Sequence, residues 1–112
     1  MCLFCKIAAK QIPSKVVFED DEVLAFHDIN PGAPTHVLVI PKRHVASIDE
    51  ATAEDAALLG KLLLACQRAA REAGITQSGF RVVSNTGPNA GQSVFHLHFH
   101  VLGGRAMAWP PG

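Results

Sequence analysis

The segment from Ser93 to Leu102 places three of the chain's six histidines on alternate residues: His96, His98 and His100. Period-2 alternation is the pattern of a β-strand, whose successive side chains point to opposite faces. The spacing predicts a strand over 93–102, with His96, His98 and His100 on one face. Phe95, Leu97, Phe99 and Val101 occupy the other face and are expected in a core. The histidines then line a cleft over the sheet. Residues two apart on a strand lie about 6.5–7 Å apart, and His96 and His100 about 13 Å apart. Two neighbours can share one ion but all three can hardly do so. The row is therefore expected to divide its labour, with one histidine reacting and the others ordering it or binding something else. A single histidine on a strand is usually structural, but three backed by an apolar face are not a solvated histidine run.

A chain of 112 residues suits one domain, 1–112, with a single core. Lys plus Arg equals Asp plus Glu, ten of each, so there is no basic footprint for nucleic acid. No apolar run approaches the ~20 residues that span a bilayer, and the first residues lack a charged-then-apolar signal pattern. A soluble cytoplasmic protein is expected, with neither nucleic acid nor membrane as partner. Three cysteines, an odd number, do not suggest a secreted disulfide framework.

Cys2-x-x-Cys5 opens a short helix that ends before Pro13. Lys15–Glu19 and Glu22–His27 read as a hairpin around Asp20-Asp21. Residues 28–34 form a loop, and His36–Ile40 is a third strand, apolar enough to be central. Thr52 caps a helix that runs to about Ala73 and stops at Gly74. Leu58, Leu62, Ala65, Cys66, Ala69 and Ala73 form one stripe, widened by Leu59, Leu63 and Ala70. So broad a face can pack on the sheet and on a second copy, so a homodimer is expected; a monomer with a wide core stripe is the alternative. Cys66 reads as a buried small hydrophobe. Gly79–Ser84 is a fourth strand. The tail after Gly103 cannot extend a helix or a central strand, and Trp109 within it suggests docking. The sum is α+β: about five antiparallel strands with one long and one short helix.

The loop from Asn85 to Ser93 carries glycines that let backbone N–H groups approach an anion, although most such turns are only hairpin connections. It lacks the Gly-Lys-[Ser/Thr] of a phosphate-binding loop. Beside a row of imidazoles it suggests phosphate chemistry, because a neutral imidazole can attack phosphorus and form a covalent intermediate. One ring nitrogen must then be free while the other donates a hydrogen bond that fixes the tautomer.

At this point the chain resembles a known superfamily. His96-Leu97-His98-Phe99-His100-Val101-Leu102 matches the His-φ-His-φ-His-φ-φ signature of the histidine triad (HIT) superfamily, with φ apolar. Agreement extends to Phe26 through Pro31, Pro34 through Lys42, Gly91-Gln92-Ser93-Val94, and the tail with Gly103-Gly104-Arg105 and Trp109-Pro110-Pro111-Gly112. The likeness covers essentially the whole chain. It is similar to the histidine triad nucleotide-binding proteins, which are purine nucleoside phosphoramidases, more than to the dinucleoside polyphosphate hydrolases.

The resemblance implies that His98 is the nucleophile, with His100 and His36 completing its proton network. Ser93 is implied near the leaving group and phosphate, with Asn85 on the phosphate and Gln92 and Val94 in the same loop. Asp28 is implied on the ribose hydroxyls. Ile12, Phe26 and Ile29, with Phe4 nearby, form the slot for a purine, and Trp109 reaches a dimer partner's site. The ligands implied are AMP, GMP and adenosine phosphoramidates. Taken alone, Asp28 could cap a turn, and Phe26 and Ile29 could be plain core. No catalytic cofactor is expected. Cys2-x-x-Cys5 is half of a zinc signature. Bacterial members that carry it hold zinc with two cysteines and the positions of His44 and His96, which implies a four-ligand structural zinc here; a pair of free thiols is the alternative. The combination with the Trp-Pro-Pro-Gly ending makes the subgroup mixed. Three other functions stay open: a polyphosphate hydrolase, a hydrolase with a catalytic ion on His96 and His98, and a non-catalytic nucleotide-binding scaffold.

Overall fold

The apolar run that ends at Ile40 becomes the middle strand of a five-stranded antiparallel sheet. The computed structural model describes residues 2–112. Helix α1 (Leu3–Ala8) precedes strands β1 (Val16–Glu19), β2 (Val23–His27) and β3 (Thr35–Pro41). Helix α2 (Ala56–Glu72) leads to β4 (Phe80–Val83) and β5 (Phe99–Gly103). The strand order is β1-β2-β3-β5-β4. The expected α+β class, central third strand and β1–β2 hairpin are all present. Asp20 closes that hairpin by accepting the N–H groups of Glu22 and Val23 at 2.8 Å each.

Period-2 alternation sorts the core onto two faces. Val23, Ala25, Val37, Val39, Phe99 and Val101 pack with α2. Leu24, Phe26, Leu38 and Ile40 pack with Phe4 and Ile7 of α1. Each fully buried Leu or Ile on either face contributes roughly 1.5–3 kcal/mol relative to exposure. The α1 face is the one that matters for the site. His100 lies opposite Leu38 in the β3–β5 register, so it shares that face.

Helix α2 is shorter than the sequence predicts. Thr52 is still the cap, with its N–H donating to Asp55 Oδ2 at 2.9 Å, but Ala53–Asp55 form a 3₁₀ turn before α2. Gly74, at φ +73°, ends it as expected. Leu58, Leu62, Ala65, Cys66, Ala69 and Ala70 are buried, whereas Leu63 is 55% exposed and Ala73 is also exposed. The stripe is therefore narrower than expected. Burial pushes the Cys66 thiol up to about 12, consistent with its reading as an inert core residue.

The histidine strand is the largest correction. Regular pairing begins at Phe99, not Ser93. Ahead of it, Leu97 N–H donates to Val45 O at 2.6 Å in the segment after β3, where the strand has ended at Pro41. Phe95 lies outside the ladder and is 61% exposed, not buried. Among the described residues, no helix is long and apolar enough to cross a membrane.

Candidate active site and metal centre

His98 and His100 line a cavity of about 340 Å³ between α1, the end of β2 and the loop before β5. Its apolar wall includes Phe4, Ile12, Phe26, Ile29 and Val94, and its polar rim includes Asp28 and Ser93. The predicted base slot, ribose acid and nucleophile thus meet in one cleft. Ile29 stands at the mouth, 91% exposed, while Phe26 is buried. A larger hollow of about 730 Å³ adjoins across Asp28, but only the smaller cavity reaches His98 and His100.

Hydrogen bonds fix the tautomers of His98, His36 and His100. His98 Nδ1 lies 2.7 Å from the carbonyl oxygen of His96. A carbonyl only accepts, so Nδ1 carries the proton and Nε2 keeps its lone pair. Gly32 N–H donates to His36 Nδ1 at 2.9 Å, so the neutral His36 is protonated on Nε2. That Nε2–H donates to His100 Nδ1 at 2.8 Å, which leaves the His100 proton on Nε2. Of these three rings, His98 presents a free imidazole lone pair and His100 an imidazole N–H donor. The two rings are 5.0 Å apart between centroids. Phe4 abuts the His98 ring edge-on at 5.1 Å.

Burial, followed by the like charge of His98 and His36, depresses His100 to about 4. Burial lowers His36 as well, against the opposing pull of Asp28. The Asp28 carboxylate makes two contacts: Oδ1 accepts Asn30 N–H at 2.8 Å, and Oδ2 lies 3.4 Å from His36 Nε2. It caps its turn, and it also faces the network.

His96 does not share the cleft. It is wholly buried, and its Nε2–H donates to the Pro41 carbonyl at 2.7 Å. Its Nδ1 lone pair therefore points into a cluster with Cys2, Cys5 and His44. The sulfur-to-Nδ1 separations are 3.3 Å and 3.4 Å to His96, and 3.6 Å and 3.3 Å to His44. The two Nδ1 atoms are 3.3 Å apart. Tetrahedral zinc with ordinary Zn–S and Zn–N bonds requires about 3.6 Å and about 3.3 Å for these pairs. The donor set fits zinc, with all four positions taken by protein. Burial, and then the neighbouring Cys2, push the Cys5 thiol above its ordinary value; a divalent cation held between the sulfurs would stabilise the thiolates instead. Asp28, His36 and His100 also lie close enough to hold an ion. The Gly32 N–H argues against it, because it commits His36 Nε2 to carrying a proton.

Three predicted residues, Gln92, Trp109 and Asn85, lie outside the cleft lining. The Gln92 amide accepts Gly87 N–H at 2.9 Å and donates to Ala46 O and Val94 O, so it ties the loop together. Trp109 is 81% exposed and, like Asn85, lies outside the lining of its own cleft. Sequence reasoning did not single out Leu3 and Ile7 of α1 or Leu38 of β3, which complete the slot. The apolar Phe4–Ile7 spacing, one helical turn, was the available signal.

The chain belongs to the HIT domain family, whose model matches residues 9–107. It is 56% identical over 110 residues to an uncharacterized HIT-like protein of Synechococcus elongatus, covering 98% of this chain and 96% of that one. It is 52% identical over 112 residues to a 14 kDa zinc-binding protein of Zea mays, covering 98% and 87%. The crystal structure of a HIT family hydrolase from Legionella pneumophila superposes with a TM-score of 0.98 at 50% identity over the full length of both chains. A histidine triad nucleotide-binding protein from Candida albicans superposes at 0.82 with 31% identity, covering 98% and 83%.

The depressed histidines make a prediction about acid. An unfolded chain takes up protons at the ordinary histidine value near 6.5, whereas folded His100 resists until about 4, so stability should fall as pH drops through that window. In an NMR titration of the folded protein the His100 ring should change charge near pH 4. A midpoint near 6.5 would contradict the buried, neutral network.

Proposed function

We propose that this HIT protein is a nucleotide-binding hydrolase that cleaves purine nucleoside 5′-phosphoramidates through a nucleotidyl-histidine intermediate on His98. The observation that carries the reading is the His98 Nδ1 contact with the His96 carbonyl, which leaves Nε2 as a nucleophile. The base is held in the apolar slot of Phe4, Ile12, Phe26 and Ile29, and the ribose hydroxyls donate to Asp28. A slot of this kind grips a flat ring by area and separates adenine from guanine poorly.

In the first step His98 Nε2 bonds to phosphorus as the P–N bond breaks, and the amine departs having gained one proton. His100 Nε2–H is the donor available to the leaving nitrogen, with His36 behind it. Ser93 and the backbone N–H groups beside it, with Asn85, supply donors to the phosphoryl oxygens. In the second step water displaces His98, supplying hydroxyl to phosphorus and returning the proton. The likeness to a HIT family hydrolase and to a histidine triad nucleotide-binding protein supports this class of chemistry. A catalytic ion shared by His96 and His98 finds no support, because His96 turns its free nitrogen away into the cysteine cluster.

The cysteine cluster is proposed to bind a structural zinc, which would tie α1 to the sheet and stabilise thiolate at Cys2 and Cys5. The fitting donor distances and the zinc-binding relative support it. A homodimer is proposed as well. The edge strand β4, the exposed Leu63 and Leu64 of α2, and a tail whose exposed Trp109 lies outside the lining of the histidine cleft support a second copy as partner. The cytoplasm is the proposed compartment.

Turnover of a fluorogenic adenosine phosphoramidate should fall by about 10⁴-fold or more in His98→Ala, with nucleotide binding retained. Comparable turnover in a folded His98→Ala protein would contradict nucleophilic catalysis. Native mass spectrometry tests the zinc and the dimer together. A dimer with one zinc per chain is expected, and Cys5→Ala should lose the metal and lower Tm more than it lowers turnover. Metal-free protein after zinc-replete expression would remove the zinc; a monomer at micromolar concentration would remove the dimer.

A further inference from the structure

The Gly32 N–H that fixes His36 sits in an exposed loop, so something must keep it in place. The tail after β5 does so from outside. Gly104 has φ +88°, and a Cβ there would lie 2.8 Å from Pro34 Cβ, so the tail backbone runs directly over the loop. Beyond it, Arg105 Nη2 donates to the Gly32 carbonyl at 2.9 Å, and Nη1 donates to Ala106 O at 3.0 Å. Gly32 is thereby held at both polar atoms, its carbonyl by the guanidinium and its N–H by the imidazole.

We infer that Arg105 is a positioning residue for the proton network, holding Gly32 so that His36 and His100 keep one tautomer. The consequence for chemistry follows from the direction of the chain. If Gly32 drifts from His36 Nδ1, that nitrogen can take the proton. His36 Nε2 then accepts from His100 Nδ1, and His100 Nε2 loses the hydrogen that faces the leaving group. The groups around His36 are His100 on β5, Asp28 in the loop after β2, and the Gly32 N–H. Of these only Gly32 is set by the tail. The catalytic consequence rests on the phosphoramidase reading; the tautomer does not.

The test compares Arg105→Met, which removes cation and donors, with Arg105→Lys, which retains the charge and one donor position. Arg105 is exposed, so both variants should fold. In ¹⁵N spectra the parent's neutral His36 should be the Nε2–H form alone, and Arg105→Met should show both tautomers. With an adenosine phosphoramidate, kcat of Arg105→Met should fall by roughly 10- to 100-fold, with KM unchanged within about twofold. Arg105→Lys should recover most of the loss. A single Nε2–H tautomer in Arg105→Met, or mixed tautomers with parental kcat, would overturn the proposal. If the parent turns over no phosphoramidate, the phosphoramidase reading fails, and the tautomer measurement alone decides the role of Arg105.

Discussion

The contact between His98 Nδ1–H and the His96 carbonyl is the interaction on which the site depends. It is short, 2.7 Å, and buried, and it joins the His98 cleft to the cysteine cluster. The residue whose carbonyl orients the His98 ring is the residue whose own ring closes the cysteine cluster. His96 can do both because its Nε2–H is held by Pro41, which pins ring and backbone together at the end of β3. A backbone carbonyl is a dependable partner here, since it cannot donate and so cannot invert the tautomer.

The sheet supplies the frame for this contact. Its alternation sends Val37 and Val39 toward α2 and Leu38 and Ile40 toward α1, and His36 and His100 fall on the α1 side by the same parity. Helix α1 then serves two ends. Phe4 lies between Cys2 and Cys5 in sequence, yet its ring contacts Phe26, His96 and His98. Anything that anchors the cysteines, zinc in the present proposal, also anchors one wall of the slot.

Much of this was legible in the sequence, because period-2 patterning dictates which side chains share a face. The central strand, the hairpin and the meeting of Asp28, Phe26, Ile12 and His98 followed from it and from the family resemblance, and the helix stop at Gly74 from the glycine itself. Phe95 was misplaced because alternation continues through 93–98 while the backbone there leaves the ladder to bond with Val45. The division of the row between His96 and His98 was expected in kind, but the tautomers were not legible. They depend on Gly32, Pro41 and the His96 carbonyl, backbone atoms that no side-chain pattern encodes. The same holds for Arg105, whose target is a carbonyl 73 residues away in sequence.

The protonation state of His98 tests the account most directly. In ¹⁵N-labelled protein at neutral pH, the one-bond proton of the neutral His98 ring should reside on Nδ1, with Nε2 at the shift of an unprotonated nitrogen. On mixing with an adenosine phosphoramidate, that Nε2 signal should move as the bond to phosphorus forms. A His98 ring protonated on Nε2 would contradict the account, because the nitrogen facing the cleft would then have no lone pair with which to attack.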